Sequence, residues 1–457
     1  MSPSLVHHRG APRRGSAMIA VIWGLAALGM IVAGLQVTSG RMLLEGRDAM
    51  ERIKSRWAAR AGVESTIASL ALHTQYPEAM DAYAMIRDLD AVHMGEVEGG
   101  NWLIQHNGPG SAVAFAGPMD EHSKLNINGE FRGLINSMFG PLAWGVFDAI
   151  EDWIDEDDEP GEFGVERDYY LSLDARYEPR NAPLHSIAEL ELVAGIEPTE
   201  IRGEDWNMNN RLDPEERDGD ELLPVDDGSD TLEGGWAAML TTRSVGGGAT
   251  DSGEPRIWLR NADATELIDR FDYFGLELIP EKADSIIGMA RAEDFSLDTL
   301  VAALGEVSNN AGQGESDDDA TAGEATNATL TPDEVAIILA ECSVEAPHRP
   351  AIGRLNINTV SADTLYAMLE GQERLVENLL ALRTQRSSGL TSLVDLWSLP
   401  DADPEGIAQL TRFFDTRSNV FTITSRGFSQ ATGQESEIVV MVDRSSLPVR
   451  ILEVRED

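Results

Sequence analysis

The oxygen donors of one short segment are the residues of this chain best placed to do chemistry. In DWNMNNRLDPEE, residues 205–216, Asp205, Asn207, Asn209, Asp213 and Glu216 stand at loop positions 1, 3, 5, 9 and 12. The Arg211 carbonyl falls at position 7 and Leu212 at the apolar position 8. A hard cation needs about six to eight oxygens around one point, and a twelve-residue EF-hand loop delivers them to Ca2+ with this spacing. Position 6, where glycine normally makes the sharp turn, is Asn210, the next-best residue for left-handed backbone. Trp206 at position 2, and Arg217 where an apolar residue would anchor the outgoing helix, depart from the pattern. The expectation is a Ca2+ site working at about 0.1 to 1 mM, which would order the segment rather than signal. An acidic turn that binds nothing tightly is the alternative.

A second acidic stretch, EDWIDEDDEPGEFGVERDYY, begins at Glu151. Asp152, Asp155, Asp157 and Asp158 could hold a second cation, or a carboxylate pair could act as general acid and base as in glycosidases. Close pairs arise by chance in a composition this acidic, so a solvated acidic loop is the plainer reading. No nucleophile elbow, P-loop or HExxH occurs anywhere in the chain. His122 and His185 are isolated and read as structural, hydrogen-bonded residues. The one cysteine, Cys342, excludes an intramolecular disulfide framework and any multi-cysteine metal site, and reads as a small buried side chain.

These residues must be positioned by a chain of 457 residues, 42% hydrophobic and carrying a net charge of -44. That length supports two or three modest cores. Residues 1–60 hold nine Arg/Lys against three Asp/Glu, which leaves about -50 for the rest. Such a surface repels phosphate backbones, so nucleic acid is excluded as a partner. No residue between positions 15 and 40 is charged, enough apolar chain for a membrane-crossing helix and longer than a secretory h-region. Arg9, Arg13 and Arg14 precede it and would keep that end cytoplasmic. Beyond it Met50, Ile53, Trp57, Ala61, Val63, Ile67 and Leu70 recur at helical spacing, as an amphipathic continuation of the same helix would require. From Ser16 to Leu70 that helix would be about 80 Å long.

The remainder contains an internal repeat. KLNINGEFRGLINSMFG from Lys124 and RLNINTVSADTLYAMLEG from Arg354 are two copies, and RIWLRNADATELIDRFDYFG from Arg256 is a weaker third. Each reads as a short extended piece, a polar cap and an amphipathic helix, with Asp263 and Ser361 as the caps in the later copies. The copies read as small helical modules of helix-hairpin-helix or SAM-like type, with Leu365, Leu375, Leu379, Leu393 and Leu396 in their core. Related modules grip DNA through a glycine hairpin, but here the hairpins read FDYFGLEL and MLEGQERL in acidic surroundings. Residues 305–334 are poor in apolar side chains and read as a flexible linker. The C-terminal stretch from Asn419 alternates, Phe421, Ile423 and Ser425 against Thr422, Thr424 and Arg426, as strands do.

The junction Arg14-Gly15 against the apolar run resembles the type III signal of the type IV pilin superfamily, cut after the glycine to leave Ser16 first. Most such proteins carry Glu at the fifth mature position, where this chain has Ala20. The minor pseudopilin K family of type II secretion (general secretion pathway protein K, GspK) lacks that Glu. DEHSKLNIN from Asp120, DAIEDWIDEDDEP from Asp148, DYYLSLDARYEPRNAPLHSIAELELVAGI from Asp168, LNINTVSADTLYAML from Leu355 and the C-terminal strands resemble segments of that family in order. Residues 200–350 fit it poorly. The resemblance implies a non-enzymatic subunit at the tip of the pseudopilus, anchored once in the inner membrane with its bulk periplasmic. It implies processing at Gly15 and Ser16 by prepilin peptidase, with minor pseudopilins I and J and other pseudopilins as partners. A signal-anchored extracytoplasmic protein that binds a cation or peptide is the alternative.

The expected fold is α+β: a long N-terminal transmembrane, pilin-like helix, a small antiparallel sheet with C-terminal strands, and inserted helical modules. The expected boundaries are a leader 1–15, the helix 16–70, a pilin-like head from 71–124 with 419–457, and a first module 125–200. An acidic EF-hand-like insertion 201–235, a second module 236–304, the linker 305–334 and a third module 335–418 complete the chain.

Overall fold

The computed structural model describes residues 15–108, 113–129, 144–217, 228–229, 231–247, 250–292, 295–297, 299–301, 330–346, 351–369, 371–399 and 410–456. The leader up to Arg14, the helical run expected at 130–143 and the linker residues 305–329 lie outside that description.

Helix α1 runs Gly15–Gln75, 61 residues or about 90 Å, with no proline until Pro77 stops it. Among the described residues it is the one helix long and apolar enough to cross a membrane. After the short helix α2 (Ala84–Ala91) come strands β1 (Met94–Val97), β2 (Gly100–Asn107), β3 (Ala114–Ala116) and β4 (Met119–Asp120). The head modules follow, and the chain ends in β11 (Val420–Ser429), β12 (Glu435–Asp443) and β13 (Arg450–Glu456). These seven strands form one antiparallel sheet in the order β1-β2-β11-β12-β13, with β3 beside β2 and β4 beside β11.

The alternation read in the last strands sorts two partners. Phe421 and Ile423 join Ala59, Val63 and Leu70 of α1 in one buried cluster, and Ser425 Oγ donates to Ala59 O at 2.8 Å. On the opposite face Thr422 donates to Glu121 and Thr424 to the Asn209 carbonyl.

The amphipathic stripe needs correction in its first half. Met50, Ile53 and Trp57 are 54%, 51% and 62% exposed, and the face laid on the sheet is Glu51, Ser55, Ala58, Ala59, Val63, Thr66 and Leu70. The reason is close approach. A Cβ at Gly427 would strike Ser55 O and the Ala59 backbone, and one at Gly100 would press on Ala58. Small residues therefore face the strands and large ones point outward. Arg444 locks the far end of the helix, donating to His73 O at 3.1 Å, Thr74 Oγ1 at 2.9 Å and Ser418 O at 2.9 Å.

Three pairs of short parallel strands organise the head. Strand β5 (Leu125–Asn126) pairs with β6 (Leu240–Thr241), β7 (Ile257–Trp258) with β8 (Cys342–Ser343), and β9 (Leu355–Asn356) with β10 (Phe414–Asp415). Each repeat is thus closed by its own strand pair, and the closures divide the chain differently from the expected boundaries. The first loop spans the acidic insertion. The second spans the linker, so the helix after it is tied to the middle repeat through β8 rather than opening the third.

Between β5 and β6 lie helices α3 (Trp144–Ile154), α4 (Arg167–Ser172) and α5 (Pro198–Arg202). The second closure holds α6 (Ala264–Tyr273), α7 (Pro280–Ala290) and α8 (Pro332–Glu341), and the third holds α9 (Ala362–Met368) and α10 (Glu373–Gln385). Asp263, Thr331 and Ser361 cap α6, α8 and α9. Gly275 and Gly371, at φ 74° and 80°, turn the chain between the paired helices α6/α7 and α9/α10.

The recurring L-N-x-N performs the closure. Asn126 Nδ2 donates to Ser244 O at 3.0 Å, while Asn128 exchanges bonds with Leu184, accepting from its N–H at 2.8 Å and donating to its carbonyl at 2.9 Å. Asn356 and Asn358 repeat this with Ser418 and Leu390. All three repeats share one core, in which Tyr170, Phe271, Cys342, Leu365, Leu379, Leu393, Leu396 and Phe414 are buried and Leu375 packs at the edge.

Candidate functional site

The second acidic stretch becomes a buried group on the end of α3. Ligand atoms of Asp152, Asp155 and Glu166 lie within 4.8 Å of one another. Asp157 and Asp158 do not join them: both are exposed, and Asp157 Oδ1 instead accepts the Glu159 N–H at 2.8 Å. The cluster expected from sequence therefore loses two members and gains Glu166, which sits eleven residues beyond Asp155 and carried no local spacing signal. Helix α3 points Asp152 inward, and the chain returns over it through Gly161, whose N–H donates to both Asp152 oxygens at 3.1 Å. Gly164 then passes so close that a Cβ there would collide with the Asp152 carboxylate. Glu166 is 8% exposed and neither of its oxygens has a hydrogen-bond partner. Burial, then the charge of Asp152, pushes its carboxyl up to about 7, and burial likewise raises Asp152. Three converging hard oxygen donors, one with both oxygens unsatisfied, form a set that Ca2+ fits. Beside the carboxylates, Tyr170 serves the core, its ring edge-on to Trp153 at 5.1 Å between centroids.

The segment 205–216 lies against the sheet. Asp205, Asn209, Asp213 and Glu216 are buried, Arg211 is half-buried and Asn207 is exposed. Asp205 accepts the Asn209 and Asn210 N–H groups, both at 2.9 Å, and Asn210 adopts the left-handed backbone expected of position 6, at φ 58°. Met208 shares that conformation at φ 53°. Glu216 reaches back to the Trp206 N–H at 2.8 Å and the Asp213 N–H at 3.0 Å. The side-chain amides of Asn207 and Asn209 both donate to Asp213 Oδ2 at 2.9 Å. Arg211 differs from its expected part. Its side chain enters the cluster, pairing with Asp213 and standing 3.1 Å from Glu437. Burial pushes Asp205 up to about 6 and Glu216 up to about 7, and also raises Glu437. Glu437, from β12, is absent from the loop pattern because it lies more than two hundred residues away.

Of the two isolated histidines, His122 holds a structural position, its Nδ1 bonding the Arg354 carbonyl at 2.9 Å, whereas His185 is exposed. Cys342 is fully buried in the shared core, and burial pushes its thiol up to about 12, which leaves it unreactive at neutral pH.

A third feature is the outer face of α1. Leu43, Met50, Ile53 and Trp57 form an exposed apolar row that continues the membrane-compatible segment past its end, on the side turned from the sheet. Gly15 begins the helix and Ala20 sits in its first turns.

The family model for type II secretion system protein K, first domain, matches residues 123–203, which hold β5, the Asp152 group and the Leu184 closure. A curated relative, type II secretion system protein K of Klebsiella pneumoniae, is 24% identical over 213 residues. In these residues the chain is similar to type II secretion system protein K. The match covers 42% of the chain and 60% of the Klebsiella protein's length. A solved structure, the GspK-GspI-GspJ complex of the enterotoxigenic Escherichia coli type 2 secretion system, aligns over 90% of this chain and 99% of its own at 13% identity, with a TM-score of 0.45. The segment 205–216 lies beyond the matched family domain.

Proposed function

We propose that this chain is a non-enzymatic minor pseudopilin that caps the tip of a type II secretion pseudopilus and helps start its assembly. The observation that carries the reading is the division of α1 into two faces. Its small-residue face is used up by the sheet, whereas Leu43, Met50, Ile53 and Trp57 continue the apolar surface outward. Such a row buries itself only against another helix or lipid. Neighbouring α1-type helices of minor pseudopilins I and J, and of other pseudopilins, are the partners this reading supplies. Ala20 fits the tip position: the usual carboxylate would meet the terminal amine of a subunit further out, and the outermost subunit has none. The reading places α1 in the inner membrane with the sheet and modules in the periplasm. We read the Asp152–Asp155–Glu166 group as a Ca2+ site inside the head, on the strength of the unsatisfied Glu166 oxygens.

Intact mass of the membrane-extracted protein, expressed with and without prepilin peptidase, tests this. Loss of residues 1–15 only with the peptidase, leaving Ser16 first, supports it. An uncut chain under both conditions overturns it in favour of a signal-anchored binding protein.

A further inference from the structure

Loop 205–216 is one of the places where the head is held against the sheet. Four consecutive carbonyls of the loop are taken by sheet residues from three strands. Arg455 of β13 donates to Asn207 O at 2.7 Å and to Met208 O at 2.8 Å. Thr424 of β11 donates to Asn209 O at 3.0 Å, and the Asn107 N–H of β2 donates to Asn210 O at 2.7 Å. The loop's backbone thus faces the sheet while its acidic side chains gather on themselves.

Into that gathering the sheet sends one carboxylate of its own. Glu437 Oε1 accepts from Asn209 Nδ2 at 3.0 Å, and its Oε2, without a hydrogen-bond partner, faces the Arg211 guanidinium at 3.1 Å. Asn209, 2% exposed, lies between Asp213 and Glu437, and its Oδ1 is likewise without a partner. Buried carbonyl and carboxylate oxygens without donors are costly unless something cationic meets them. The loop and Glu437 bring four buried carboxylates together, and Arg211 is the loop's one cationic side chain to answer them.

We propose that residues 205–216 and Glu437 together bind one Ca2+, and that this ion fastens the head modules to the antiparallel sheet. Asp205, Asn207, Asn209, Asp213 and Glu216 supply side-chain oxygens and Arg211 its carbonyl; Glu437 supplies the ligand from the far side of the joint. Asn207 and Asn209 reach it by a half-turn of their amides, exchanging the nitrogens now on Asp213 for oxygens. Arg211 then gives up Asp213 to the ion and keeps its contacts with Glu435 and Glu437. The ion suits Ca2+ better than Mg2+, because a long loop with mixed amide, carbonyl and carboxylate donors tolerates irregular coordination of about six to eight oxygens, whereas Mg2+ demands a regular octahedron. The inference does not rest on the pseudopilin reading and stands whether or not the leader is cut.

Trp206, at loop position 2, supplies a direct signal, since an indole beside a bound Tb3+ transfers its excitation to the ion. The experiment uses the full chain in detergent micelles carrying Glu166→Gln, which silences the Asp152 group. Titration with TbCl3 should give sensitised emission that CaCl2 displaces, Trp206→Phe should remove most of it while Ca2+ affinity is retained, and Asp205→Asn with Glu216→Gln should abolish it. Glu437→Gln should weaken Ca2+ binding by about 10-fold or more, and Ca2+ should slow exchange of the Asn107 amide. Far-UV circular dichroism in EDTA shows each variant folded before it is titrated. No Tb3+ emission in the Glu166→Gln chain, or emission that survives Asp205→Asn with Glu216→Gln, overturns the site. Ca2+ affinity unmoved by Glu437→Gln overturns the fastening.

Discussion

His106 shows how a single residue reports on the sheet edge. Its Nδ1–H donates to Gly117 O at 3.0 Å beside the Phe115 ring, and burial, with Lys124 nearby, holds its imidazole below the usual 6.5, against the opposing pull of Asp120. The unfolded chain therefore takes up a proton that the folded chain resists, so stability is full above about pH 6.5 and falls as pH drops below it. The raised carboxyls of Asp205, Glu166 and Glu216 act in the opposite sense over the same range, so the test is a difference: between pH 7.5 and 5 the melting temperature of His106→Phe should fall less, or rise more, than that of the parent chain. Asn358 makes a second single-residue prediction. Asn358→Ala leaves the Leu390 N–H and C=O unsatisfied in a buried position and should cost about 1–3 kcal/mol per lost partner by denaturant titration. Residue types were legible in the sequence where local spacing exposes them: the caps Asp263 and Ser361, the left-handed Asn210, the buried Cys342. Glu166 and Glu437 were not: the turn through Gly161 and Gly164 brings Glu166 back onto Asp152, and Glu437 arrives from a strand more than two hundred residues away, neither with a period or motif of its own.

Among the elements, α1 was legible as a helix and as a membrane-compatible one, since composition alone decides both. Which of its faces meets the sheet was not. Met50, Ile53 and Trp57 have the hydrophobicity of a core stripe, but where the strands approach most closely the helix presents Ser55, Ala58, Ala59 and Gly62. The contest is between burying large side chains and bringing two backbones together, and the glycines of β2 and β11 settle it for the second. Gly427→Ala tests this directly: its Cβ would meet backbone of Ser55 and Ala59, which cannot swing aside, so it should destabilise by about 1–3 kcal/mol although alanine is larger and more apolar. The repeats were visible as elements through L-N-x-N, while their closures were not. A two-residue parallel strand such as β6 or β10 has too few residues to show a period, and only its partner identifies it.

At the scale of the molecule, the two faces of α1 give a separation of effects. Met50→Lys with Trp57→Lys should leave the melting temperature of the isolated chain nearly unchanged, because both side chains are exposed, while reducing its co-purification with minor pseudopilins I and J. Ala20→Glu should leave that co-purification intact if the chain sits outermost. The α+β organisation was legible from the order of a long apolar helix, helical repeats and alternating C-terminal strands. The route of the chain between them was not, and that route has a kinetic consequence. Strand β2 bonds β11, with Ser425 opposite Ile104 and Arg426 opposite Leu103, across more than three hundred intervening residues. During synthesis the modules can close one after another as β6, β8 and β10 emerge, each on its own local partner. The sheet cannot. Until residues 420–443 arrive, the Ala58–Ala59–Val63 face of α1 has β2 but neither β11 nor β12 to lie on, so a helix made early waits for strands made late.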